Sequence, residues 1–286
     1  MANLKEIRNR IASVSSTMQI TSAMKMVSAA KLKKATDAIH QMRPYSDKLT
    51  ELIQNLSSSF DSSNENPYVK IREKKKLLLI AVTSNRGLCG GFNSNIIKET
   101  DQIVAKNQDK QIKILSIGKK GTDIFSKKYK VTSSHDEVFN NLNYENTSHI
   151  ADLIMKSFME EEFDCIEIVY NRFKNAASQI VTTETFLPIV PKLNPETSNS
   201  IDYIYEPSQE KIINELLPKA LKTQLLKVLK DSFASEHGAR MTAMHKATDN
   251  AGELRDQLKL TYNKARQASI TNEILEIVGG AEALNN

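Results

Sequence analysis

The chain has 286 residues, 40% hydrophobic and 26% charged, which suits one large or two small domains with a sizeable core and excludes a disordered polymer. Its longest purely apolar run, Leu77 to Val82, is far short of a membrane span, and its two cysteines, Cys89 and Cys165, make neither a disulfide framework nor a zinc pattern, so a reducing compartment is expected. With no Trp and 6% aromatics, a stacking platform for sugars or nucleobases is not expected.

The formal charge of +5 is unevenly placed. Residues 1–60 hold nine basic residues and four acids, while the other 226 residues are balanced at 30 of each, so the whole excess lies at the start and should seek an acidic partner. The plainer reading of such a run is a solvated helix face. An apolar stripe runs through Leu4, Ile7, Ile11, Val14 and Met18, then Thr21, Met24 and Val27, to Leu32, Ala35 and Ile39. A helical period kept up over about 40 residues is too long for a cleaved presequence. Pro44 should kink or interrupt the helix, Leu49 to Leu56 resume it, and the Ser/Asn-rich stretch 57–67 reads as an exposed loop.

From Lys74 the pattern changes. KKKLLLIAVTS (74–84) reads as a buried strand and RGLCGGFN (86–93) as a Gly-rich turn. There follow a helix (94–108), a strand (111–118), a short helix (122–129), and a helix (148–163) with Ile150, Leu153, Ile154, Ser157 and Phe158 on one side. Strands at 165–173 and 179–189 come next, and Pro188, Pro191 and Pro195 mark an irregular connector before a last strand at 201–207. Strands alternating with helices predict a βαβ arrangement and a mainly parallel sheet.

After Ser208 the chain reads as helix, bent at Pro218 and ended by Gly279–Gly280. Met244, Ala247, Ala251, Leu254, Leu258, Thr261, Ala265, Ala268, Asn272 and Leu275 recur at alternating steps of three and four, a coiled-coil seam in which Thr261 and Asn272 would fix the register. Neither terminal helix is stable alone, and the simplest partner for each is the other. The predicted fold is therefore α/β: a long antiparallel coiled coil of N- and C-terminal helices (1–60 and 208–286) with an inserted Rossmann-like α/β domain (70–206).

The chemistry expected of such a chain is sparse. SNRGLCGGFN (84–93) follows a strand and precedes a helix, as a phosphate cradle would, but its spacing is G-x-x-G-G, and the second strand ends in Lys119 and Lys120 with no acid for a ribose. Cys89 has no evident base, which makes it a small buried thiol. The five histidines show no metal spacing, the run Glu160–Glu162 closes a helix in solvent, and the basic helix does not match a nucleic-acid fork. Catalytic residues, cofactors, metals and nucleic acid are all expected to be absent. A nucleotide-dependent enzyme built on the βαβ domain and an unrelated coiled-coil adaptor remain as alternatives.

Three stretches carry a resemblance. LKEIRNRIASVSSTMQITSAMKMVSAAKLKKA (4–35), VTSNRGLCGGFN (82–93) and SEHGARMTAMHKATDNAGELRDQLKLTYNKARQASITNEILEIVGGAEAL (235–284) are similar to the gamma subunits of rotary ATP synthases, and the last contains I-T-x-E-x-x-E-x-x-x-G-A-x-A at 270–283. Gly238 in place of the usual Ala should soften the C-terminal helix by up to about 1 kcal/mol, and Asn85 replaces a common Asp. The resemblance implies a non-catalytic rotor. Its coiled coil would stand inside a ring of three alpha and three beta subunits, and its α/β domain beside the epsilon subunit and the c ring. It would reach the membrane only through that complex, on the cytoplasmic face of a bacterial inner membrane. The start of the motif at residue 2 or 3 favours a bacterial chain over an organellar precursor.

The resemblance also implies roles by matching position. Met24 and Lys25 fall where the family's rod meets an acidic loop of beta. Arg266, Gln267, Thr271 and Glu273 match positions that touch beta or neighbouring rod residues, and Glu236 and Arg240 match a further coupling pair. Pairing within the helix at i,i+4 is the alternative for these. Tyr203, Tyr205 and Glu206 fall near the foot, toward the c ring and epsilon.

Overall fold

Residues 4–58, 67–189, 206 and 209–284 are described in a computed structural model of the chain. They form two compact units, Met1–Ser28 with Met241–Asn286, and Ala29–Arg240. Two long helices, α1 (Leu4–Ser58) and α5 (Gln209–Leu284), give residues to both units. Pro44 and Pro218 lie within them without ending either helix, and Gly279–Gly280 does not end α5, which continues to Leu284.

In the first unit the two helices pair antiparallel. Arg8 Nη2 donates to the Tyr262 hydroxyl at 2.7 Å, Arg255 Nη1 approaches Met18 Sδ at 3.8 Å, and the Thr21 and Thr248 hydroxyls meet at 2.8 Å. The inward side of α1 runs Ile7, Ile11, Val14, Met18, Thr21, Lys25 and Ser28, in the four–three alternation of a coiled-coil seam. The predicted stripe departs from this at its end, because Val27 is 57% exposed and Ser28 only 2%. Ser28 tolerates burial because its hydroxyl donates to the Met24 carbonyl at 2.8 Å.

The seam of α5 runs Met244, Thr248, Ala251, Arg255, Leu258, Tyr262, Ala265 and Ser269. Of the predicted seam, Met244, Ala247, Ala251, Leu258 and Ala265 turn inward, whereas Leu254, Thr261, Ala268, Asn272 and Leu275 are exposed. One position of each heptad is polar, and an apolar reading steps past it. From Ile270 to Ala281 every side chain of α5 is exposed, including Ile274, Leu275, Ile277 and Val278.

The second unit is built on a five-stranded sheet in the order β3-β2-β1-β4-β5, with β1 Lys76–Val82, β2 Gln111–Ile117, β3 Val131–Ser134, β4 Cys165–Phe173 and β5 Gln179–Leu187. Only β5 runs antiparallel to its neighbour. The helices between them are α2 (Phe92–Lys106), α3 (Lys119–Lys128) and α4 (Tyr144–Met159). Alternation along β1 sorts the core into two layers. Leu77, Leu79 and Ala81 pack with Ile96 and Ile103 of α2 and Phe125 of α3. Leu78, Ile80 and Val82 pack with Ile150, Ile154 and Phe158 of α4 and with Leu221, Leu225, Val228 and Leu229 of α5. A strand covered on both faces is continuously apolar, which is why β1 reads so plainly in the sequence.

Along the α1–α5 pair in this unit, Ala35 and Ile39 pack with Ala234, and Leu49 packs with Leu217. On α4 the predicted inward residue Leu153 is 55% exposed, and Ala151 and Met155 take the buried face instead. Gly118 ends β2 at φ +107, and a Cβ there would fall 2.1 Å from the Thr83 carbonyl oxygen, so no other residue fits the crossing of β1 and β2 into α3.

Candidate functional site

The turn between β1 and α2 lies at the carboxyl ends of the parallel strands. Successive connections from β1 go toward β2 and β3, while β4 lies on the other side of β1, so the ends of β1 and β4 form a topological switch point. Open α/β sheets bind their ligands at such a point. Here Ser84 Oγ donates to the Arg86 carbonyl at 2.7 Å, the Ser84 amide donates to Asn93 Oδ1 at 2.9 Å, and Asn93 Nδ2 donates to Ser84 Oγ at 2.8 Å and approaches Cys89 Sγ at 3.3 Å. From β4, the fully buried Asn171 donates to the Phe92 carbonyl at 3.0 Å. Leu88 and Gly90 adopt φ +62 and φ +58, and Leu88 is 66% exposed.

Helix α5 fills the crevice. Cys89 and Phe92 pack with Ala239, and burial pushes the Cys89 thiol pKa up. Arg240 Nη2 donates to the carbonyls of Arg86 at 3.0 Å and Gly87 at 3.3 Å, while Nη1 donates to Glu236 Oε1 at 2.7 Å. Both charged side chains are 9% exposed. Burial raises the Glu236 carboxyl pKa even though Arg240, Lys31 and Arg86 oppose that shift. His237, three residues before Arg240, is held neutral by burial and by the positive charges of Arg240 and Lys31, with its pKa lowered to about 4. Its Nδ1 is 3.4 Å from Arg240 Nη1 and its ring meets Phe233 edge-on at 4.5 Å.

Of the residues singled out in the sequence, Glu236 and Arg240 are brought together, as an i,i+4 pair. Arg266, Gln267, Thr271 and Glu273 are exposed on α5, where the Thr271 hydroxyl donates to the Gln267 carbonyl at 3.0 Å and Ser269 lies 3.5 Å from Glu273 Oε1. Met24 and Lys25 are half-buried on α1. Glu206 is exposed, while Tyr203, Tyr205 and the rest of the strand read at 201–207 lie outside the described residues, apart from this one position. Sequence reasoning missed that Arg86 and Gly87 serve through their carbonyls. No side-chain pattern signals a backbone acceptor, though the nearness of Arg240 to Glu236 in sequence marks one end of the clamp.

Residues 3–284 match the family model described as ATP synthase. The chain is 64% identical over 285 residues to the ATP synthase gamma chain of Flavobacterium johnsoniae and 60% identical over 287 residues to that of Christiangramia forsetii, covering all of both chains in each case. Among solved structures, it matches a chain of the central stalk and c ring of the Tetrahymena thermophila mitochondrial ATP synthase with a TM-score of 0.63 and 28% identity, over 80% of this chain and 99% of that one. A chain of the Euglena gracilis mitochondrial ATP synthase shares the fold with a TM-score of 0.71 and 22% identity, over 98% of this chain and 94% of that one.

Proposed function

The chain belongs to the ATP synthase gamma chain family, and on that footing we propose that it is the central rotor shaft of an ATP synthase. Turning of a membrane c ring is passed through it to the beta subunits, whose sites then cycle through binding, forming and releasing ATP. Its partners are three alpha and three beta subunits, the epsilon subunit and the c ring. Residues 1–60 and 208–286 act as the stalk and 70–206 as the α/β foot. No described helix is long and apolar enough to cross a membrane, and the chain is held peripherally, on the cytoplasmic face of a bacterial inner membrane, through the complex.

One observation carries the reading: α5 leaves Ile270, Ile274, Leu275, Ile277 and Val278 bare at the end of a helix in a chain of this family. Together with Arg266, Gln267, Thr271 and Glu273, that stretch serves as the bearing surface for alpha and beta. Met24 and Lys25 meet an acidic loop of beta, and Tyr203, Tyr205 and Glu206 face the c ring and epsilon. The chain itself performs no nucleotide chemistry. This is supported by Arg240, Ala239 and Glu236, which fill the crevice where a doubly wound domain would hold its ligand.

The test is reassembly of the full chain with alpha and beta subunits of the Flavobacterium johnsoniae complex, with a bead on a cysteine introduced at the exposed Lys127. ATP should drive rotation in one direction. A ring that hydrolyses ATP without turning the bead, or that does not take up the chain, would refute the proposal.

A further inference from the structure

The Arg240 side chain is too buried to meet a partner, yet three of its hydrogen bonds are directional and two end on the backbone of a turn. That turn holds a leucine in the left-handed region, a conformation unfavourable for a non-glycine residue that persists only where its surroundings enforce it. The same leucine is exposed, so its own packing does not enforce the shape. The constraints on either side of it do. Arg240 grips the carbonyls of Arg86 and Gly87, Ser84 grips Arg86 as well, and Cys89 is held against Ala239. Glu236 in turn fixes the guanidinium, leaving Nη2 aimed at the two carbonyls.

We propose that Arg240 is a positioning residue: it is the internal ligand of the switch-point crevice and holds the 86–91 turn in the form that exposes Leu88. It acts through that backbone and not by touching a neighbouring subunit. The inference rests on the rotor reading only for the process that the turn serves, and the geometry it describes stands apart from that reading.

Cys89 lies inside the turn and Cys165 lies in β4, so the chain carries its own probe and its own control. In the full chain, assembled with alpha and beta, alkylation by N-ethylmaleimide is followed at each thiol by peptide mass. Arg240→Ala should speed labelling of Cys89 by roughly tenfold or more while Cys165 stays protected, because loss of hydrogen bonds to a charged group shifts a local opening equilibrium by at least that factor. Guanidinium ion at low millimolar concentration should slow Cys89 again by occupying the emptied position between Glu236 and the two carbonyls, and urea at the same concentration should not. If Arg240→Ala unfolds the domain, both thiols label together and Arg240→Lys decides: it keeps a cation beside Glu236 but lacks the fork. Faster labelling of Cys89 alone in that variant supports the proposal. In Arg240→Lys, both thiols at parental rates or both accelerated together overturns it, as does no rescue by guanidinium in a folded Arg240→Ala. A complex that fails to rotate while these labelling results hold would sink the rotor reading and leave this one standing.

Discussion

Gly238 turns toward the backbone of Ala176, in the turn that joins β4 to β5: a Cβ on Gly238 would stand 3.1 Å from the Ala176 carbonyl oxygen and 3.3 Å from its Cα. The glycine that softens the helix thus lets the β4–β5 hairpin lie directly on α5. Gly238→Ala would gain up to about 1 kcal/mol of helix propensity, against about 1–3 kcal/mol for forcing atoms into a packed contact. The expected result is a net loss of about 1 kcal/mol in urea denaturation. A gain instead would show that the hairpin yields.

Two buried groups on α5 oppose each other in acid. Burial raises the Asp231 pKa to about 6, despite the positive charges of Arg43, Lys227 and Arg172, while burial lowers that of His237 to about 4. Between the ordinary carboxylate pKa and about 6, the folded chain holds a proton on Asp231 that the unfolded chain releases, so this group adds stability as pH falls. Between about 4 and the ordinary imidazole pKa, the unfolded chain binds a proton at His237 that the folded chain refuses, so this group removes stability as pH falls. The two nearly cancel from pH 6 down to pH 4. Asp231→Asn should therefore make the chain acid-labile over that range, with a slope approaching about 1.4 kcal/mol per pH unit. His237→Gln should do the reverse. Denaturation midpoints at several pH values would check both, and parallel profiles in parent and variants would contradict the assignment.

Glu161 closes α4 at φ +59, its amide donating to the Phe158 carbonyl at 3.2 Å. Glycine is at ease in that conformation, as in most helix-ending positions of this kind. Glu161→Gly should stabilise the chain by about 1 kcal/mol, less a few tenths for the ion pair between its exposed carboxylate and the largely buried Arg72. The Lys76 ammonium, which donates to the backbone oxygen of residue 161, loses nothing. Thermal denaturation should show a higher midpoint.

Thr21 and Thr248 couple α1 to α5 in the first unit. Thr248 also reaches the Met244 carbonyl at 2.8 Å and Thr21 the Met18 carbonyl at 3.1 Å, so each hydroxyl keeps a local acceptor when the other is lost. Thr21→Val and Thr248→Val should each cost about 1 kcal/mol, and the double variant should cost less than the two together by about 0.5–1 kcal/mol. Strict additivity in a double-mutant cycle would mean that the cross-helix bond contributes nothing.

What could be read in the sequence followed burial. β4 has the predicted bounds, Cys165–Phe173, and β1 stands out because both of its faces are covered. Where the fold buries polar groups, an apolar reading drifts: it takes Val27 for Ser28 and Leu254 for Arg255. β3, four residues of Val-Thr-Ser-Ser at the sheet edge, carries too little apolar signal to be noticed. Gly279–Gly280 looks like a stop but stays helical, since glycine permits an ending without imposing one. The turn at 84–93 is visible as a motif. Its purpose is not, because the group it binds comes from more than a hundred residues further along the chain.

A crevice filled by the chain's own arginine is always loaded. Its occupancy does not follow the level of any metabolite, and nothing has to diffuse in or be released for the turn to keep its shape.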